Sequence, residues 1–94
     1  MSAADDERLV DAVLAGDPGS AVVLRNEYLA LAQSLAIRLV GDESAAERAL
    51  DAFLTRLAGW PRQNKLSTYA TSVMRQAIDP ERYGPAEAGP QSNS

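Results

Sequence analysis

The chain has 94 residues, which is the size of one small domain and excludes a two-domain enzyme. Hydrophobic residues make up 46% of it and aromatic residues 5%, so we expect a modest core built mainly from Leu, Val and Ala. The chain contains no Cys and no His, which excludes disulfides, zinc fingers and Ser-His or Cys-His nucleophile pairs. We therefore expect a protein that is not an enzyme and that needs no metal and no cofactor.

Charge is distributed unevenly along the chain, whose formal net charge is −4. Residues 1–17 and 41–59 are acidic, whereas residues 60–79 have a net basic charge. The basic side chains of that last segment are Arg62, Lys65 and Arg75. They are either a solvated face or the place where an anionic partner approaches. The overall acidity argues against a protein whose main task is to coat nucleic acid.

Periodic apolar residues predict two helices in the first half of the chain. The first carries Leu and Val at the i, i+3, i+4 spacing of one helical face and stops at Gly16. Asp17 and Pro18 predict an N-cap followed by proline at the first position of a long second helix, which ends at Gly41. The apolar stripe of this second helix is Leu24, Tyr28, Leu31, Leu35 and Leu39.

Two further helices are predicted in the second half. Ser44 and Glu47 have the spacing of a capping box, and the third helix continues from them to Gly59. Residues 60–64 then form a loop, and Ser67 is the predicted cap of a fourth helix. The aromatic residues expected in the core from their place on these helical stripes are Tyr28, Phe53 and Tyr69.

These segments predict an all-α fold, a small bundle of four helices over residues 1–79. From Pro80 onward Gly, Pro, Ser, Asn and Gln dominate, so residues 80–94 are predicted to be a disordered tail. Asp79 and Arg82, three residues apart at this boundary, are expected to form a surface ion pair. The chain lacks an apolar run long enough to cross a bilayer and a start typical of a secretion signal, so we expect a cytoplasmic protein with no membrane contact.

Several of these signals recur together in one known family. They are Leu9-Val10, Gly16-Asp17, Tyr28, Gly41-Asp42, Ala46-Glu47, Phe53-Leu54, and Asp79 with Arg82. In this order and spacing they resemble region 2 of bacterial sigma factors of the extracytoplasmic-function type, over residues 5 to about 83. The resemblance implies a third helix that docks on a coiled coil of the RNA polymerase clamp. It also implies a loop and a fourth helix that open the minus-ten promoter element and capture a flipped base.

The chain departs from the family pattern at contact positions. Arg48 stands where the family usually has aspartate, and Asp51-Ala52 stand where it has glutamine and glutamate. A strongly basic continuation of the fourth helix and a second, helix-turn-helix domain are absent from the 94 residues. We therefore expect a region 2-like module that acts in transcription regulation by binding a protein partner rather than by autonomous promoter recognition. That partner is RNA polymerase, an anti-sigma factor or a second copy of the chain, as a homodimer.

Two groups of residues are candidates for these contacts. The candidate partner-binding residues are Glu43, Glu47, Arg48 and Asp51. Their three acids, at i, i+4 and i+8, are typical of a docking edge, a solvated face or a weak divalent-cation site. The candidate nucleic-acid-binding residues are Trp60, Arg62, Lys65 and Arg75.

Trp60 allows two interpretations, a ring that stacks on a base or a side chain that covers the open end of the core. The first interpretation leads to an alternative function, in which the chain is a minus-ten-like single-stranded DNA-binding domain. Such a domain would work in transcription initiation together with a missing second domain. DNA binding by this acidic chain is expected to be weak.

Overall fold

A computed structural model describes residues 3–83, which are helical throughout apart from short connections and contain no strand. The elements are α1 (Ala3–Leu14), α2 (Pro18–Val40), α3 (Ala45–Thr55), a 3₁₀ turn (Leu57–Gly59), α4 (Leu66–Ile78) and α5 (Pro80–Tyr83). For this part of the chain, the predicted all-α bundle of four main helices is confirmed. Residues 84–94, most of the predicted disordered tail, lie outside the described residues.

The boundaries of α1 and α2 lie where glycine and aspartate predict them. Gly16 has a φ of 97° and Gly41 a φ of 68°, so both occupy the left-handed region that ends a helix. The Gly41 N–H donates to the Ile37 carbonyl at 2.9 Å. Asp17 has the extended backbone of an N-cap, with Pro18 at the first helical position. The Ser20 hydroxyl donates to the Asp17 carboxylate and holds the pKa of that group below its ordinary value.

The start of α3 differs from the predicted capping box. The Asp42 carboxylate accepts the Ser44 N–H at 3.1 Å and the Ser44 hydroxyl at 2.7 Å. Ser44 itself has helical dihedral angles and forms no side-chain cap bond. Because the Ala45 N–H already bonds the Asp42 carbonyl, the first turn begins before Ser44. Ser44 occupies the predicted N-cap position, but its hydroxyl makes no capping-box bond, and the Asp42 carboxylate accepts the Ser44 N–H.

The end of α3 also differs from the prediction. The α-helix stops at Thr55, and Leu57–Gly59 continue as a 3₁₀ turn rather than as helix. Leu57 is still fully buried, so the predicted apolar stripe is kept across the change. The carbonyl of Arg56, at the junction, accepts the hydroxyl of Tyr69 from α4 at 2.6 Å. This contact between distant segments fixes the junction, and no local pattern reports it.

The fourth helix begins at Leu66, one residue before its predicted cap. Lys65, with an extended ψ of 140°, occupies the N-cap position without a side-chain cap bond. Ser67 lies inside the first turn, where its carbonyl accepts the Thr71 hydroxyl at 2.9 Å. The prediction of Ser67 as the cap is therefore wrong, because Lys65 occupies the N-cap position and Leu66 is already helical.

Pro80–Tyr83 form a single helical turn, where the sequence predicted the start of a disordered tail. Proline suits the first position of a helix, and the Asp79 carboxylate accepts the Arg82 N–H at 3.3 Å. The same carboxylate pairs with the Arg82 guanidinium at 3.7 Å. The predicted ion pair of these two residues is thus confirmed, and its geometry stabilises the turn.

The core lies where α3 packs against both α2 and α4, and α1 packs on α2. Its largest fully buried side chains are Phe53, Leu24, Leu35, Leu50, Leu57, Leu66, Met74 and Val10. Phe53 meets the ring of Tyr28 edge to face, with centroids 5.0 Å apart. Tyr28 and Tyr69 are partly buried and pack against this core. The predicted packing role of the three aromatic residues is confirmed.

Small side chains line much of the contact between these helices. The fully buried alanines are Ala32 and Ala36 of α2, Ala45, Ala46 and Ala49 of α3, and Ala70 of α4. Because an alanine side chain is a single methyl group, helices that meet through alanine approach one another closely. The predicted core of Leu, Val and Ala is confirmed in this part of the chain.

Candidate partner-binding and nucleic-acid-binding surfaces

The three predicted acids lie together on the outer side of α3 and of the turn before it. We call Glu43, Glu47 and Asp51 the acidic edge. All three residues are exposed, and the side chains of Glu47 and Asp51 are 70% and 71% accessible. The opposite side of α3 is buried, which orients this edge outward. The predicted helix face therefore holds for Glu47 and Asp51 of α3, whereas Glu43 lies in the turn before the helix.

Arg25 of α2 is a member of this surface that the sequence did not reveal. Its guanidinium pairs with the Glu47 carboxylate and, at 3.2 Å, with the Asp51 carboxylate. Glu43 makes no ion pair with any residue that the structure describes. The acidic edge thus combines two carboxylates that share one cation with one carboxylate that has none. The one local signal for this pairing was the position of Arg25, a charged residue directly after the buried Leu24. A cation close to the packed side of a helix indicates an acidic partner nearby.

Arg48 lies apart from the acidic edge. Its Nε donates to the Ala77 carbonyl near the end of α4 at 3.3 Å. This carbonyl belongs to the last turn of the helix, where acceptors lack an intrahelical donor. Arg48 therefore joins α3 to α4, while Glu47 and Asp51 face α2. The four predicted partner-binding residues form a group of three acids and a separate cation.

Hydrogen bonding also shifts the titration of Asp42, which neighbours this surface. The bonds from Ser44 hold the pKa of the Asp42 carboxyl below its ordinary value, and the positive charge of Arg48 adds to the effect. Like an ordinary aspartate, Asp42 is a carboxylate at neutral pH. It adds one negative charge to the start of α3, where the helix dipole favours an anion.

Three of the predicted nucleic-acid-binding residues surround one pocket at the loop before α4. Trp60, Arg62 and Lys65 line this loop pocket, which has a volume of about 320 Å³. The Trp60 side chain is only 5% exposed, and its indole N–H donates to the Asn64 carbonyl at 3.0 Å. The Arg62 guanidinium covers the ring at 4.9 Å from its centroid. Of the two interpretations of Trp60, this geometry supports the one in which it covers the open end of the core.

Acids from α1 offset the cations of the loop pocket. Arg62 pairs with Asp11 at 2.9 Å, and Asp6 contributes to the lining of the pocket. Two cations, Arg62 and Lys65, therefore stand beside two acids. The excess of positive charge that the sequence of residues 60–79 suggested is cancelled when α1 packs beside the loop.

Arg75 belongs to a different surface. It lies about 15 Å along α4 from Lys65, at a rise of about 1.5 Å per residue. Its guanidinium stands 5.5 Å from the ring centroid of Tyr83. The two residues line a second pocket of about 360 Å³, whose other lining residues are Thr68, Thr71, Ser72 and Gln76. The four predicted nucleic-acid-binding residues thus do not converge on one site.

No protein-family model matches the chain, and neither a curated protein nor a solved structure matches it. Within residues 3–83, no three or more His, Cys, Asp or Glu side chains are grouped so that they could hold a metal ion. None of the described helices has the length and apolar character needed to cross a membrane.

Proposed function

We propose that this chain is a sigma factor region 2-like helical module that acts in transcription regulation by binding a protein partner through the acidic edge. The observation that carries the proposal is this edge, whose three carboxylates are exposed on α3 and the turn before it, while the opposite side of α3 is buried. Such a surface complements a basic partner surface. RNA polymerase and an anti-sigma factor are the partners that the family resemblance implies, and both place the module in the cytoplasm.

The charge distribution supports protein binding over autonomous promoter recognition. Asp11 and Asp6 stand beside the cations of the loop pocket, and the Trp60 ring is buried. Stacking on a base would require an exposed ring, and affinity for DNA would require a surplus of cations. The formal net charge of −4 adds long-range repulsion of DNA.

The experiment compares single charge reversals inside and outside the acidic edge. Glu43→Lys changes an edge carboxylate that has no ion pair among the described residues, so binding can change with little effect on stability. Glu81→Lys on α5 is the matched control, because it reverses the same exposed charge elsewhere. Calorimetry and pull-down against core RNA polymerase and a panel of anti-sigma factors measure the affinity. We expect Glu43→Lys to bind about tenfold more weakly and Glu81→Lys to bind as the unmodified chain does.

Two results would contradict the proposal. One is failure of the unmodified chain to bind either class of partner. The other is an equal loss of affinity in Glu43→Lys and Glu81→Lys, which would indicate a general charge effect rather than a docking edge.

The second candidate function is binding of minus-ten-like single-stranded DNA. The observation that favours it is the convergence of Trp60, Arg62 and Lys65 on the loop pocket at the start of α4. The affinity of an oligonucleotide that binds there must fall as salt is added. The double variant Arg62→Glu, Lys65→Glu must abolish binding. Asp11→Asn should strengthen binding, since it releases Arg62 from its ion pair. The absence of any mobility shift at low salt would reject this function.

A further inference from the structure

We propose that the outer face of α2 is a self-association surface, on which two copies of the chain pack α2 against α2 in antiparallel orientation. This inference goes beyond the proposed function, because the surface shares no residue with the acidic edge or the loop pocket. The two can therefore succeed or fail independently.

The outer face of α2 is unusually apolar. In the described part of the chain, four of the six large hydrophobic side chains that are exposed belong to α2. They are Val22, Val23, Ile37 and Val40, which are 57%, 49%, 53% and 45% accessible. The buried side of the same helix is also apolar, and it already packs in the core. A helix with apolar residues on both sides is typical of one that is covered on both sides.

Part of this face follows a seven-residue repeat, which includes the polar Asn26 and Gln33 and leaves out Val22. Val23, Ala30 and Ile37 form one row, and Asn26, Gln33 and Val40 form the second row. Along the helix the two rows alternate at steps of three and four residues, which is the pattern of a two-helix seam. The seam extends over most of α2, whose 23 residues span about 34 Å at the usual helical rise.

An antiparallel pair brings each row against the other row of the second copy. One register places Val23 opposite Val40 of the second copy, and the same contact recurs at the other end of the seam by two-fold symmetry. Ala30 then lies opposite Gln33, close to the symmetry axis. The two Gln33 amides, one from each copy, are within a turn of one another and can share a hydrogen bond. The same register places Ile37 opposite Asn26 of the second copy, so the contacts between two apolar side chains are those of Val23 with Val40, at both ends of the seam.

Two charged residues beside the seam favour the antiparallel orientation of a second copy. Glu27 and Arg38 flank the seam on the same side, near its opposite ends, and neither makes an ion pair with another described residue. In the antiparallel register Glu27 of one copy lies about 3 Å along the axis from the level of Arg38 of the other, which two such side chains span. The pair forms twice. A parallel in-register pair would instead place these flanking residues of the two copies on opposite sides of the seam, so the Glu27–Arg38 pairs could not form.

Sedimentation equilibrium over a range of protein concentrations tests the association. We expect the unmodified chain to form dimers and Ile37→Glu to dissociate at least about a hundredfold more readily, because a carboxylate would be desolvated in the seam. Leu14→Glu, a similarly exposed aliphatic residue at the end of α1, is the matched control and should leave dimerisation unchanged. Circular dichroism establishes that both variants remain helical.

A charge swap tests the orientation without placing a charge in the seam. Glu27→Lys and Arg38→Glu should each weaken dimerisation about tenfold, and the double variant should restore it. The chain has no Cys, so Val23→Cys and Val40→Cys can be mixed and joined by a short thiol cross-linker. The antiparallel register predicts cross-links between the two different variants and few within either one.

Three results would overturn the inference. The first is a monomer at every concentration, which would leave the face to another occupant. The second is an equal effect of Leu14→Glu and Ile37→Glu on dimerisation. The third is a double charge variant whose dimerisation is not restored. Cross-links within Val23→Cys alone would also overturn the proposed orientation. Binding of RNA polymerase or an anti-sigma factor is measured with different variants, so its failure leaves this test unaffected.

Discussion

Trp60 combines three interactions in one side chain. Its ring closes the core, its indole N–H bonds the Asn64 carbonyl, and the Arg62 guanidinium covers its outer side. The position of this residue after a helix indicated a ring at the edge of the core, but it also fitted a base-stacking role. The two interpretations differ in whether the next residues fold back over the ring. The Asn64 N–H bonds the Pro61 carbonyl at 2.9 Å, and this turn brings the Asn64 carbonyl to the indole.

Replacing Trp60 separates its hydrogen bond from its packing. Trp60→Phe keeps an aromatic ring but leaves the Asn64 carbonyl without its donor, and we expect a loss of about 1–3 kcal/mol in the free energy of unfolding. Trp60→Ala should cost about 3–5 kcal/mol, because the end of the core is opened as well. Urea unfolding followed by circular dichroism measures both. Equal stability of the two variants and the unmodified chain would show that the ring is not part of the core.

Tyr28 predicts a response to alkaline pH. Burial raises the pKa of its phenol to about 12, and the negative charges of Asp6 and Glu27 act in the same direction. The unfolded chain releases this proton near pH 10. The contribution of Tyr28 to the free energy of unfolding is therefore fully present below pH 10 and is lost as the pH rises toward 12. Absorbance of tyrosinate should show a phenol that titrates near pH 12, and Tyr28→Phe should remove that component. Titration of all three tyrosines at the pH found in denaturant would contradict the burial of Tyr28.

At the scale of elements, the sequence predicted the helices better than it predicted their caps. Gly16 and Gly41 were reliable signals because a left-handed residue ends a helix whatever packs around it. Asp42 and Ser44 are both good caps and stand two residues apart, so local preference could not show which side chain accepts a backbone N–H. The end of α3 depends on Tyr69, thirteen residues beyond the Arg56 carbonyl that it contacts. A contact over that distance is invisible to a helical pattern.

The cap of α3 predicts a response to acid. The pKa of Asp42 is lowered in the folded chain, so its contribution to stability is present above the pKa of the unfolded chain and is lost as the pH falls. Asp42→Ala should therefore melt below the unmodified chain at neutral pH, and the difference should disappear once the carboxyl is protonated. Ser44→Ala is the control and should have the smaller effect, since the Asp42 carboxylate keeps its bond to the backbone N–H. Thermal melts at several pH values measure the difference, and one that persisted in strong acid would contradict the prediction.

At the scale of the whole molecule, the sequence predicted rows of residues on one helix but not the meeting of different helices. The part of the acidic edge formed by Glu47 and Asp51 follows from the spacing within α3. Its partner Arg25 comes from α2, 22 residues before Glu47, and the acids beside Arg62 come from α1. The separation of Arg75 from Lys65 was within reach of the sequence, because Lys65 lies just before the predicted fourth helix and Arg75 lies on it, but a net charge summed over residues 60–79 conceals it. Local periodicity carries no information about such distances between elements.

Substitutions of Phe53 test how much the core stabilises the bundle, and their unfolding curves test whether it unfolds as one unit. The side chain is fully buried and touches the ring of Tyr28 from α2. Phe53→Ala should cost about 3–5 kcal/mol, a large part of the roughly 5–10 kcal/mol expected for a domain of this size. Phe53→Leu should cost less than about 2 kcal/mol, since most of the volume is kept. Denaturant curves from Trp60 fluorescence and from circular dichroism should coincide, and separate midpoints would show that the helices unfold independently.

The small alanine side chains between α2, α3 and α4 allow these helices to pack closely, and the distance between the helices also affects the position of surface residues. Ala49 is fully buried, so a leucine at this position would overpack the contact and push the neighbouring helices apart. α3 would then tilt, and the carboxylates it carries would move away from Arg25. Residues that never touch solvent thus determine the pattern of charge that a partner meets.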